Sequence, residues 1–395
     1  GHTAEAEKNY QAALARIDRM TDREKYRTRG SYYLFAREAD KARQEYEALT
    51  QAFPADTGGL ANLALARFYH RDMSGAIEMN DRAVAVYPKN VQFVNNGALY
   101  AMYAGQFEKA VTASDSVLKL LSTYTGAYVA KALSLLALGK ADEAEQSWKT
   151  LATFSTGASV APLGRADLAL FQGRTKDAIA ILTTAIDIDM QAKNASGAAL
   201  KRLAMADARL AGGDQPGSLK EAELALALAP TDATQFTAGR LFAQAGRIPQ
   251  ATKLADTLSA KLGADAQAYG KLIKAEIALA QKNPRAAIEA AKDATKLADT
   301  WPGRLILARA YIDAGAFTEA SSELDIVQKR RGEATAMFLD DVPTWRVYAP
   351  VGYWVARAQE GMKSPAAKDS YKAFLALKER GDEQGLVADA RKRLQ

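Results

Sequence analysis

There is no cysteine in the 395 residues and there are only two histidines. The first absence removes disulfide frameworks, thiol nucleophiles and thiolate metal sites. Gly1 and His2 read as the remnant of a cleaved expression tag, which leaves His70 as the one native imidazole. No window holds eighteen uninterrupted apolar residues and no basic-then-apolar leader opens the chain, so nothing in it is expected to span a membrane or direct secretion. An excess of one charge sign is missing too: 52 basic residues face 46 acidic ones, for a formal net charge of +6. The two signs are intermixed, with "QKRR" (Gln328 to Arg331) as the densest basic cluster. Nucleic-acid binders concentrate charge on one face, so the expectation is a solvated helical surface with no nucleic-acid partner. Absent cysteine is compatible with an oxidising compartment without requiring one.

What is present is a repeat. Ala42, Ala76, Ala110, Ala144 and Ala178 follow one another at a constant step of 34 (76 − 42 = 34, and so on). Gly105, Gly139 and Gly173 stand five residues before three of these alanines, and Pro54 and Pro88 stand twelve after two of them. Each residue type has a physical task. Glycine at a helix end takes positive φ, proline cannot donate to the preceding turn, and alanine lets two helices cross closely. Between these marks the apolar residues recur at helical spacing, as in "GALYAMYAGQFEKAVTASDSVL" (Gly97 to Leu118), which predicts helix, tight turn, helix. No strand pattern competes.

This 34-residue pattern of small, aromatic and proline positions resembles the tetratricopeptide repeat. Units fall at 23–56, 57–90, 91–124, 125–158 and 159–192, and the first carries Gly30, Tyr33, Ala42, Tyr46 and Pro54 at the family's positions. Past Asp189 the stretch "MQAKNASGA" inserts about six residues, after which Gly213, Ser218 and Pro230 mark a sixth unit. Ala251, Ala287 and Ala320 anchor three more, and Ala367 with Tyr371 a degenerate last one. Such units cannot bury their apolar faces alone and must stack. The resemblance therefore implies an all-α fold, a right-handed superhelical solenoid of about ten helix-turn-helix repeats. The expected division is a leading helix of a truncated repeat at 1–22, five regular units at 23–192, and about five degenerate units at 193–380. A proline- and aromatic-rich connector should lie at 332–347 and a C-terminal capping helix at 381–395. The leading helix has no partner before it, and the chain reads as a piece of a longer protein.

Features that imitate catalytic motifs dissolve on inspection. "GGDQPGSLK" (Gly212 to Lys220) has glycines five apart, but Ser218 and Leu219 stand where a phosphate loop needs Lys and Ser/Thr. Asp340 and Asp341 are adjacent, so their side chains diverge and need an outside partner such as Arg346 or the "KRR" cluster. His70 has no nucleophile placed with it. No catalytic residue, metal ligand or cofactor site is expected.

In tetratricopeptide proteins the first helix of each unit lines a groove, and an asparagine at its sixth position often holds a ligand backbone. By that resemblance Asn62 and Asn96 are groove residues (57 + 5 and 91 + 5), while Thr28, Ala130 and Gly164 interrupt the series. Aromatics recur at the thirteenth position as Phe35, Tyr69, Tyr103 and Phe171, open to a packing or a ligand reading. The expected partner site comprises Arg27, Asn62, Asn96, Tyr69 and Tyr103, and its ligand is an extended or helical protein segment.

The segment "FLDDVPTWRVYAPVGYW" (Phe338 to Trp354) holds five aromatics and two prolines in an otherwise alanine-rich chain. Its prolines forbid a continuous helix and its rings can dock it onto the stack, so it reads as a joint. With "TDREKYRTRGSYYL" and the text from Leu297 to Arg346 it resembles the repeat region that follows bacterial, eukaryotic-like serine/threonine kinase domains. That resemblance implies a sensing or docking arm outside the inner membrane; a free-standing repeat scaffold, expected in the cytoplasm, is the alternative. The chain itself has no kinase signature.

Overall fold

The structure, a computed structural model, describes residues 2–36 and 38–395; Gly1, one half of the expected tag remnant, lies outside them. Among the described residues the chain is helical, with no strand. It divides into two compact units, Gly1–Ser134 and Leu135–Gln395. Unit 1 contains α1 (His2–Leu14), α2 (Asp22–Phe35), α3 (Ala39–Ala52), α4 (Thr57–Tyr69), α5 (Met73–Val86), α6 (Val91–Tyr103), α7 (Phe107–Leu120) and most of α8 (Thr125–Ala137). Unit 2 begins within α8 and contains α9 (Ala141–Ala152), α10 (Val160–Phe171), α11 (Thr175–Gln191), α12 (Ala195–Ala211), α13 (Gln215–Leu228), α14 (Asp232–Gln244) and α15 (Ile248–Ser259). It continues with α16 (Ala264–Ala280), α17 (Pro284–Leu297), α18 (Trp301–Asp313), α19 (Phe317–Lys329), α20 (Val351–Gly361), α21 (Ala367–Leu377) and α22 (Leu386–Leu394).

The tetratricopeptide-type hairpin is visible in each unit, and local chemistry explains its edges. Asp56, Asp72 and Asn90 cap α4, α5 and α6 by accepting from the backbone N–H three residues on, at 2.8, 2.9 and 3.1 Å. Turns close with a left-handed residue: Gly105, Gly139 and Gly173 have φ of 75°, 79° and 76°. At the first of them Gly105 N donates to Met102 O and Gln106 N to Ala101 O, the paired bonds that satisfy a helix C-terminus. All five alanines of the 34-residue register are fully buried, as are Ala251, Ala287 and Ala320, with Ser218 in the same role. The residues inserted near Asp189 make no loop. They lengthen α11 and α12 to 17 residues each, and Asp189 and Lys201 form a buried ion pair between them.

Where the turn glycine is missing, the backbone keeps its conformation: Arg71 and Lys282 hold φ of 63° and 57°. A side chain in this region costs about 1–2 kcal/mol, and glycine returns part of that as chain entropy. Lys282→Gly is therefore expected to stabilise unit 2 by about 0.5 kcal/mol, a rise of about 1–2 °C in melting temperature. A lower melting temperature would show that the Lys282 side chain supports the turn.

In unit 2 the first helices of successive hairpins, α10, α12, α14, α16, α18 and α20, touch one another and form an inner wall. The segment after α19 does more than join two hairpins. Its two short 3-10 turns, Arg331–Ala336 and Trp345–Tyr348, run along this wall, and the second packs on α10. The turn after α21 returns to the same region: Asp382 N and Glu383 N donate to Gly173 O, Gln384 N donates to Ala211 O, and Asp382 accepts from both N and Oγ1 of Thr175. Unit 2 is thereby closed on itself. At its end α22 buries Val387 and Ala390 against Tyr353, Tyr371 and Phe374.

Candidate binding surfaces

Each of the five groove residues expected from sequence can be placed. Arg27 donates from Nη2 to Asp56 Oδ1 at 2.7 Å and from Nε to Oδ2 at 3.1 Å, and Arg23 adds a third bond to Oδ2 at 2.7 Å. Burial favours protonation of Asp56, but the two guanidiniums and the Gly59 N–H outweigh it and hold the carboxyl down to about 2. Arg27 thus anchors the start of α4. Asn62 is half-buried and donates from Nδ2 to the Tyr46 hydroxyl at 3.0 Å, which Ser31 also contacts at 2.9 Å. Its amide therefore supports packing between hairpins. Asn96 is half-buried, and no described residue hydrogen-bonds to its side chain. Tyr69 is half-buried beside Phe68. Tyr103 is 2% exposed with its ring 4.8 Å from that of Phe68, so it belongs to the core and offers no face to a ligand.

The interruption of the asparagine series at Gly164 has a steric cause. A Cβ there would come within 2.4–2.6 Å of the buried Trp148 indole, and no larger residue fits. Trp148 precedes Gly164 by the same interval that separates Tyr46 from Asn62 (164 − 148 = 62 − 46 = 16). The sixth position therefore faces the preceding hairpin in both places. At the thirteenth position Phe35 packs near Tyr10 and Phe171 near Trp345, a packing role.

The inner wall of unit 2 carries a feature the sequence reading missed. Successive first helices present Asp207 (α12), Arg240 (α14), Glu276 (α16) and Arg309 (α18), alternating in sign. Arg240 Nη2 donates to Asp207 Oδ1 at 2.6 Å, and Arg309 reaches both oxygens of Glu276. Gln244 Nε2 joins at Glu276 Oε2. The spacing was a usable signal, since each acid precedes its base by 33 (240 − 207 = 309 − 276 = 33). At the α10 end stands a third acid, Asp167, and the connector supplies its counter-charge. Arg346 donates from Nη1 and from its backbone N to Asp167 Oδ1, at 3.0 and 3.1 Å, and from Nε to Asp207 Oδ2 at 2.9 Å.

Burial lowers the Arg346 pKa, but Asp207 and Asp167 outweigh it and the guanidinium is held above its usual value. At Asp167, by contrast, burial wins: the residue is 0% exposed and shares one guanidinium, so its carboxyl is raised. Asp207 touches two guanidiniums, which overcome the same burial and lower it. Arg346 therefore does not pair with the adjacent aspartates, as the sequence suggested. Within the basic cluster, Arg330 binds Asp299 and Glu333. His70 is exposed, 3.5 Å from Asp40, and Asp214 in the glycine-rich stretch caps α13 through Gly217 N. Among the described residues no three His, Asp or Glu side chains are grouped to hold a metal, and no helix is long and apolar enough to cross a membrane.

Between the wall, the connector and the C-terminal turn lies a cavity of ≈ 600 Å³. Its apolar lining includes Leu163, Leu203, Phe236, Ile306, Met337 and Phe338, and its polar side is the charge ladder. Trp354 lies beneath the Arg309 guanidinium, 5.4 Å away.

No family model matches the chain, and no curated protein does. Among solved structures, a tetratricopeptide repeat protein from Parabacteroides merdae is 16% identical over 73% of this chain and 98% of its own, with a TM-score of 0.48. The human IFIT1 dimer with m7Gppp-AAAA is 12% identical over 95% of this chain and 86% of its own, with a TM-score of 0.49. A thermophilic tetratricopeptide protein, TTC0263 of Thermus thermophilus, is 18% identical over 54% and 94%, with a TM-score of 0.34. What this chain has in common with repeat proteins is the stacked helical hairpin that its own helices display.

Proposed function

We propose that the chain is a non-catalytic scaffold that binds an extended or helical segment of a partner protein along the first helices of unit 1. One observation carries the reading: Asn96, at the sixth position of α6, keeps a half-buried amide with no hydrogen-bond partner among the described residues. An amide donates and accepts at once, which suits a peptide backbone of any sequence. Asn62 holds the same repeat position on α4, though its amide is shared with Tyr46. The intermixed surface charge supports a protein ligand over a nucleic acid.

Linear peptides selected on the parent chain from a random library test this. Asn96→Ala should weaken them about two- to tenfold and leave the melting temperature unchanged, the loss of one hydrogen bond. Asn62→Ala should in addition lower stability by about 0.5–1.5 kcal/mol through Tyr46. Peptides that bind the Asn96 variant as tightly as the parent would place the ligand surface elsewhere.

The finer reading, that these repeats are the sensing arm of a bacterial transmembrane serine/threonine kinase and lie outside the inner membrane, is supported by the resemblance of the text from Leu297 to Arg346. The full open reading frame decides it. An upstream kinase domain followed by a membrane-spanning helix is expected, whereas upstream repeats alone would favour the free-standing scaffold.

A further inference from the structure

The cavity of unit 2 has the size of sites that enclose drug-sized molecules, and it has their composition, a mostly apolar wall with a few placed polar groups. Eight charged side chains line it: Asp207, Arg240, Glu276, Arg309, Asp340, Arg346, Lys378 and Glu383. Seven are neutralised within the wall. Asp207 pairs with Arg240 and Arg346, Glu276 with Arg309, and Lys378 with Glu383 at 2.7 Å. Asp340 is the eighth: its carboxylate receives the Val342 N–H, at 3.3 Å, and no basic side chain among the described residues pairs with it.

Asp340 is open to solvent, yet it sits in the concave mouth, where surrounding protein displaces water. This thinning of the water around an exposed carboxylate, with the Asp341 charge beside it, pushes the carboxyl up to about 6. The loop is set by two residues with left-handed backbone, Leu339 at φ 56° and Asp341 at φ 59°. A positive charge brought to Asp340 would find the one lining carboxylate that the wall leaves uncompensated. An anion would meet guanidiniums already engaged with acids.

We propose that this cavity binds a small amphipathic organic cation, its apolar body against Leu203, Phe236, Ile306 and Met337 and its positive group at the Asp340 carboxylate. The site is distinct from the unit 1 groove and independent of the function proposed for it. Connector and C-terminal turn bound the space, so the ligand is a compact molecule of a few hundred daltons.

Three eight-carbon probes of different charge, octylammonium, octanol and octanoate, test the proposal below their micellar concentrations. The readout is tryptophan emission, since Trp301 and Trp354 line the cavity, checked by calorimetry. Octylammonium should saturate, with octanol and octanoate at least about tenfold weaker, one decade being the scale of a partly desolvated ion pair. Asp340→Asn should remove that preference and leave octanol binding unchanged. Leu305→Trp, which fills the cavity from α18, should abolish all three; if it unfolds, the Asp340 variant still decides. Equal binding of octanoate and octylammonium, a preference that survives Asp340→Asn, or no saturable response would each overturn the assignment.

Discussion

Arg346→Met is expected to destabilise unit 2 by about 3–5 kcal/mol, the cost of leaving a buried charge without its partner. The change strands Asp167, fully buried, and takes one of two guanidiniums from Asp207. It also frees the connector, because Arg346 is the charged tie between that segment and two helices lying 179 and 139 residues earlier. A loss of this size is a large share of the 5–15 kcal/mol that holds a domain folded. All four tryptophans, Trp148, Trp301, Trp345 and Trp354, lie in unit 2, so urea unfolding followed by their emission reads this unit alone. Arg346→Lys should fall between parent and Met, since an ammonium cannot fork across two carboxylates. Asp167→Asn in the Arg346→Met background should recover part of the loss. Should Arg346→Met unfold at the parent's urea midpoint, the ladder would hold without the connector.

Lys201→Met is expected to cost about 3 kcal/mol. Lys201 and Asp189 are 1% and 3% exposed, and the lysine also donates to Ser159 Oγ at 2.8 Å. Burial lowers the Lys201 pKa despite the opposing carboxylate, a sign of how completely the pair is withdrawn from water. Removing the lysine leaves Asp189 with the Ser159 hydroxyl and the Asn194 amide, which keeps the loss near the low end of the range for broken buried pairs. Replacing both partners, Lys201→Met with Asp189→Leu, should restore most of the stability, because no charge then remains to desolvate. A double variant as unstable as the single one would assign the effect to packing. The same urea curves measure all three proteins.

The repeat could be read because it is local and periodic. A constant step of 34 fixed which alanines would be buried, and the glycine before three of them marked a left-handed turn that the structure repeats even at Lys282, where glycine is absent. The groove was read less well. Asn62, Asn96, Tyr69 and Tyr103 were placed by analogy of position, and position does not report what the neighbouring hairpin contributes. Tyr46 claims part of Asn62, and Phe68 packs against the Tyr103 ring. The slip after Asp189 was seen, but that its residues would lengthen α11 and α12 around an ion pair was not.

The sequence by itself determined the helical hairpin, its length, and the small residues at the close crossings, because each follows from contacts within about one repeat. Only the tertiary structure decided where the connector goes, which acids Arg346 meets, and that the turn at 378–385 closes onto Gly173 and Ala211. These are choices among 52 basic and 46 acidic side chains at separations of 139 residues and more. A charge carries no address in the sequence, and its partner is set by which surfaces the stacked helices bring together and strip of water.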